Sequence, residues 1–253
     1  MILRFRPALT SLAAAVLALA PLSAADSAAK RGPKPLMKDG SDNPALRKAS
    51  ADLMIQPGEQ FSFSARITGQ LTVGGDSETC DGHVTYDPFK AEPWTSTGNT
   101  TGQCAKLQSD TLAAWKKHPS GEYAVAGKEE GEEFYDCVVV PGRPGATTYE
   151  CRVQEPPDFP AKARKLAERS VFTLTLNNKS KEFTHASARY LPPSGPGLSK
   201  ISLMTTDLEL VPFKSHRLPR VRTSRTVQEG SSLGIRYRAD ILVTFKYKVV
   251  TME

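Results

Sequence analysis

The chain has 253 residues, 39% hydrophobic and 24% charged, with a formal net charge of +6. That balance excludes wholesale disorder and a multi-span membrane protein. Four cysteines are too few for a disulfide-dense mini-scaffold and enough for two bridges.

The first residues carry Arg4 and Arg6 and no acid, then a run of small and apolar residues, then Ser23-Ala24-Ala25 ahead of Asp26. A basic start, a short apolar stretch and small residues before the cut describe a signal peptide, residues 1–25, cleaved after Ala25. The competing reading is an uncleaved membrane anchor; Pro21 and the weak, alanine-rich apolar run argue against it. The expected location is therefore the periplasm or the medium. Residues 26–59 mix Ala, Lys, Pro, Asp and Gly without an apolar period and read as a flexible linker.

From Phe61 the pattern changes. Phe61, Phe63, Ala65, Ile67, Leu71 and Val73 stand on odd positions with polar residues between, the period of a half-buried strand. Gly74-Gly75-Asp76 ends it, and residues 86–102 are rich in turn formers. Leu107, Thr111, Leu112 and Trp115 then share one face of a helix over 104–117. Strands are expected at 134–140 and 147–153 around a Pro141–Gly145 turn, then a short helix at 161–168 behind Pro160. Further strands follow at 171–176 and 182–191, and a last β region at 201–250. The expected class is α+β with β dominant: small β-β-α-β units stabilised by disulfides, plus a long C-terminal β-hairpin. The units are 60–131, 132–193 and the C-terminal region 194–253.

Cys80, Cys104, Cys137 and Cys151 contain no C-x-x-C, which disfavours zinc ribbons and redox sites. Sequence alone allows three pairings. Because Cys137 and Cys151 fall on the two arms of one expected hairpin, 137–151 with 80–104 is preferred, as structural bridges in an oxidising compartment. The four histidines, His83, His118, His185 and His216, are widely spaced and form no metal pair. Gly230-Ser231-Ser232-Leu233-Gly234 spells a hydrolase nucleophile elbow, but a strand pattern follows it and no histidine comes later, so a hairpin turn explains it better. The acidic run at 129–133 lacks the alternating oxygens of a calcium loop. No catalytic residue, cofactor or metal site is expected.

Charge is uneven. Residues 51–160 hold eight Lys/Arg against seventeen Asp/Glu, and residues 161–253 hold seventeen against seven. Such asymmetry suggests a partner of opposite sign or two halves that attract each other. The candidate binding residues are Arg217, Arg220, Arg222 and Arg225, with Arg236, Arg238 and Val243 on the last strand. Nucleic acid is not expected for an exported protein; a merely solvated strand face is the plain reading of the basic stretch, and an anionic envelope polymer or lipid headgroup is the alternative partner. In that last strand the odd positions from Ile235 to Val249 are apolar or aromatic and the even ones mostly charged, broken by Leu242. Fifteen residues of period two exceed the usual strand of five or six. The strand is expected to bridge both units, to project as a docking edge, or to form an internal hairpin with residues 218–227, with Pro219 on its outer edge.

The order Cys137-Val138-Val139-Val140, glycine turn, Glu150-Cys151-Arg152-Val153, Glu155-Pro156 and Ala163-Arg164-Lys165-Leu166-Ala167 resembles the C-terminal domain of TonB-type energy transducers. Cys80, Cys104-Ala105-Lys106-Leu107 and Leu112-Ala113-Ala114-Trp115 echo it, which implies two divergent copies. The N-terminus and the short linker depart from a transducer. The resemblance implies a non-catalytic envelope module that docks on an envelope protein by strand addition. A secreted hydrolase with an unrecognised site is the remaining alternative; oligomeric state is left open.

Overall fold

The structure, a computed structural model, describes residues 61–99, 101–117, 135–153, 169–191, 199–213 and 218–249. The signal, the linker, the 161–168 helix, the acidic run, His118, His216 and Arg217 lie outside them.

Phe61–Val73 (β1) turns at Gly74-Gly75 into Asp76–Tyr86 (β2). Both glycines hold a positive φ, 63° and 102°, which any other residue adopts only under strain. Trp94–Gly98 (β3) precedes Gly102–Lys117 (α1). Then come Tyr135–Val140 (β4), Ala146–Val153 (β5), Ser170–Asn177 (β6) and Phe183–Tyr190 (β7). Three strands of 15 residues each complete the fold: Ser199–Phe213 (β8), Leu218–Ser232 (β9) and Ile235–Val249 (β10).

All ten strands form one antiparallel sheet in the order β3-β2-β1-β10-β9-β8-β7-β6-β5-β4. From β4 to β10 each strand lies beside its predecessor. The non-local step is β1 along β10, in register from Phe61↔Val249 to Val73↔Tyr237. Ten strands is near the size at which open sheets curl, and a twist of 20–25° per pair accumulates to roughly 200° between the edges.

This topology corrects the expectation of separate small units. The sheet runs through 60–131, 132–193 and 194–253 without a break. The second correction concerns β10, which is not a docking edge: β1 and β9 occupy its two sides. The internal hairpin is the reading that holds, with Leu233-Gly234 as its turn (φ 51° and 81°), the left-handed pair of a tight hairpin. Pro219 is not on an outer edge either; it stands opposite Pro212 of β8.

One face of the sheet is buried. Rows of register partners cross it: Ile67, Val243, Ser224, Leu208, Ala186, Leu174, Tyr149 and Val139 form one. The next holds Gly69, Ile241, Thr226, Thr206, Ala188, Phe172, Cys151 and Cys137, and a third runs from Leu71 through Ala239, Gln228 and Met204 to Tyr190. α1 lies at the β1–β3 end of this face. The Cys80–Cys104 bridge ties it to β2. Glu78 accepts hydrogen bonds from the Gln103 and Cys104 amides at 2.8 and 3.2 Å, supplying from β2 the first-turn acid that α1 lacks. Trp115 packs against Phe63 and Phe245, with ring centroids 5.8 and 5.6 Å apart. Gln108, buried, donates to Ser96 Oγ and the Thr97 carbonyl, both at 2.7 Å, so the helix holds the outermost strand in place.

Gly69 controls the β1–β10 seam. Its φ is 151°, and a Cβ there would meet the Asp240 carbonyl oxygen at 2.0 Å. Gly69→Ala is expected to destabilise by about 2–4 kcal/mol, from strain plus displaced backbone. Urea unfolding of the two proteins measures it.

Candidate functional site

The outer face carries most of the residues singled out as binding. Arg225 forks onto Asp240, Nε to Oδ1 at 3.0 Å and Nη2 to Oδ2 at 2.8 Å. Arg238 reaches Glu229 at 2.5 Å and Arg222 reaches Glu209 at 3.8 Å. Three arginines of the basic third therefore pair with carboxylates of that same third. Arg236 is exposed at the β10 start and pairs in register with Ser231. Arg220 lies on β9 opposite Val211. Val243 faces the other way, buried between Ile67 and Ser224. So the structure does not gather these residues into one site.

The remaining chemistry is scattered. Ser232 is buried at the end of β9, opposite Ile235 and Ser199. His185 is exposed, 3.8 Å from Asp207, and His83 is exposed on β2. No group of three or more His, Cys, Asp or Glu able to hold a metal occurs among the described residues. The bridges are Cys80–Cys104 and Cys137–Cys151, the preferred pairing.

The buried face holds an arrangement that sequence reasoning missed. On β9 the inward residues include Ser224, Thr226, Gln228 and Gly230; Leu208, Thr206 and Met204 lie opposite on β8, and Ala186 and Ala188 on β7. These side chains are mainly small. Ile67, Val243 and Ile241 flank them on one side, and Leu174, Tyr149 and Phe172 on the other. Along the row Ile241, Thr226, Thr206, Ala188 and Phe172 the profile is thus a trough between two bulkier shoulders, while in the neighbouring row Leu208 stands between Ser224 and Ala186. The Thr206 and Thr226 hydroxyls hydrogen-bond each other at 3.2 Å.

Gln228 is 0% exposed. Its Nε2 donates to the Tyr237 hydroxyl at 3.1 Å, while its Oε1 has no hydrogen-bond partner. Gly230 makes that contact possible: a Cβ there would lie 2.5 Å from the Tyr237 hydroxyl, so the phenol lies across the glycine to reach Gln228. Burial pushes the Tyr237 hydroxyl up from its ordinary pKa, so it stays protonated. An orphaned buried amide oxygen costs about 1–3 kcal/mol. No charged side chain is buried among the described residues.

No protein-family model matches the chain, and no curated protein matches it. Among solved structures, a DUF1329 family protein from Desulfovibrio piger is similar at 10% identity and a TM-score of 0.29, covering 78% of this chain and 89% of that one. A LolA superfamily protein from Nitrosomonas europaea is similar at 11% identity and a TM-score of 0.33, covering 83% and 93%. Neither is a TonB-type domain. The TonB resemblance is corrected: the hairpin at Cys137 and Cys151 exists, but it is the end of one ten-stranded sheet, not one of two β-β-α-β copies. No helix among the described residues is long and apolar enough to cross a membrane.

The Arg225 hydrogen bonds hold the Asp240 carboxyl below its ordinary range. A lowered folded-state pKa stabilises fully above the unfolded value of about 3.9 and is lost as the pH falls through the folded value. Asp240→Asn should therefore cost about 0.5–1 kcal/mol near pH 7. Unfolding curves of the two proteins should converge as the pH falls through the folded carboxyl's lowered value.

Proposed function

We propose that this is an exported, non-catalytic binding protein that carries an apolar ligand on the buried face of its sheet. The observation that supports the reading best is the trough of Thr226, Thr206 and Ala188 between Ile241 and Phe172. A sheet face evolved only as a packed core fills its centre with large side chains, because voids there cost stability. Ligand sites are instead mostly apolar, with a few placed polar groups. Two disulfides agree with life in an oxidising compartment.

Ala188→Trp separates a trough from an ordinary core. If the trough holds a ligand, the full chain keeps its thermal midpoint and its enhancement of N-phenyl-1-naphthylamine fluorescence falls at least fivefold. If the face is simply packed, the substitution destabilises by about 1–3 kcal/mol and the wild type gives no enhancement to lose.

Partner docking by strand addition is the second reading, transferred to β4. Val138 and Val139 are 44% and 56% exposed, on opposite faces of this edge strand. Cys137 and Cys151 stand opposite with Cα atoms 4.0 Å apart, the spacing of a non-hydrogen-bonded pair. The Cys137 and Val139 amides and carbonyls consequently point to the open edge. An envelope protein strand could pair there, and Val139→Lys should then weaken its capture in a salt-independent way. An anionic polymer has less support, since Arg222, Arg225 and Arg238 already face carboxylates.

A further inference from the structure

We infer that the ligand is a neutral long-chain compound bearing a hydroxyl, and that Gln228 and Tyr237 read that hydroxyl. The inference rests on the carrier reading and adds the ligand's chemistry to it. Three observations meet at one place. Gln228 Oε1 is a wholly buried acceptor without a donor. Its amide nitrogen donates one proton to the Tyr237 oxygen, which leaves the phenol proton available to a second acceptor. Gln228 also stands beside the small-residue trough, on the same strand and the same face as Thr226.

The pair therefore offers one acceptor beside two donors, the phenol proton and the second amide proton, in apolar surroundings. A hydroxyl matches both kinds, donating to Gln228 Oε1 and accepting from the Tyr237 hydroxyl. An ester or aldehyde accepts only and leaves Oε1 orphaned. A carboxylate or phosphate would bring a charge to a face with no buried cation among the described residues, which is strongly unfavourable. A plain alkane fills the trough and satisfies neither group. Discrimination of this kind is large when a site's own polar atom is left unpaired by the wrong ligand.

The test uses the full chain and displacement of N-phenyl-1-naphthylamine by 1-hexadecanol, methyl hexadecanoate, hexadecanoate and hexadecane. The alcohol should bind about tenfold tighter than the ester or the alkane, one hydrogen bond's worth of affinity, and the carboxylate weakest of all. Gln228→Leu should remove the alcohol's preference while ester and alkane binding persist, which also reports that the variant is folded. Tyr237→Phe should remove part of the preference. Equal binding of alcohol and ester by the wild type, or an undiminished preference in Gln228→Leu, overturns the inference and leaves the carrier reading standing. Failure of all four compounds to displace the dye, or of the dye to bind, overturns both.

Discussion

The pairing of β1 with β10 is the constraint on which the rest of the structure depends. It joins the first and last described strands along 13 residues, and without it β1–β3 and α1 would share no ladder with β4–β10. The seam demands a glycine at position 69 and places Ala65, Ile67 and Leu71 against Phe245, Val243 and Ala239. Because so many contacts are long-range in sequence, closure of this seam is the step most exposed to chain entropy. The Cys80–Cys104 bridge offsets part of that cost by holding α1 to β2 whether or not the seam has formed.

Once the seam is closed, a single face runs from the aromatic cluster beside α1 to the hairpin clasped by Cys137–Cys151. Its ends and its centre differ in chemistry. Phe63, Tyr86, Trp94, Trp115 and Phe245 fill the α1 end with rings at tilted and edge-on angles. The centre carries hydroxyls, alanines and one amide beside Leu208 and Met204. Such a centre is poor at stabilising a fold by its own burial, which follows apolar area. The carrier reading accounts for it: the centre is shaped for something other than the chain's own side chains, and stability is left to the two ends.

Much of the fold was legible and the site was not, for one physical reason. Where inward residues are large, as at Phe63, Ile67, Ile241 and Phe245, alternation stands out, and β1, β10 and the β4–β5 hairpin are readable from the letters. β2 escapes because its inward positions are Cys80, Gly82 and Val84, two of them too small to mark a period. β9 misleads further. Its Ser224, Thr226 and Gln228 read as a solvated face beside the arginines, although they are the buried side and the arginines the exposed one. The polarity that conceals this strand in the sequence is the property that marks the site. The order of strands could not be read either, since nothing local tells Phe61 that its partner is Val249.

The most direct test of the account is to see where a ligand lies. A long-chain alcohol carrying a mid-chain diazirine, photolysed on the full-length protein, should label residues of β7, β8 and β9 on the inward rows of Ala188, Thr206 and Thr226. The label should be competed away by unlabelled 1-hexadecanol. Labelling confined to the outer face, to the β4 edge or to residues outside the sheet, or labelling that excess alcohol leaves unchanged, would contradict the claim that the buried face is a carrier site.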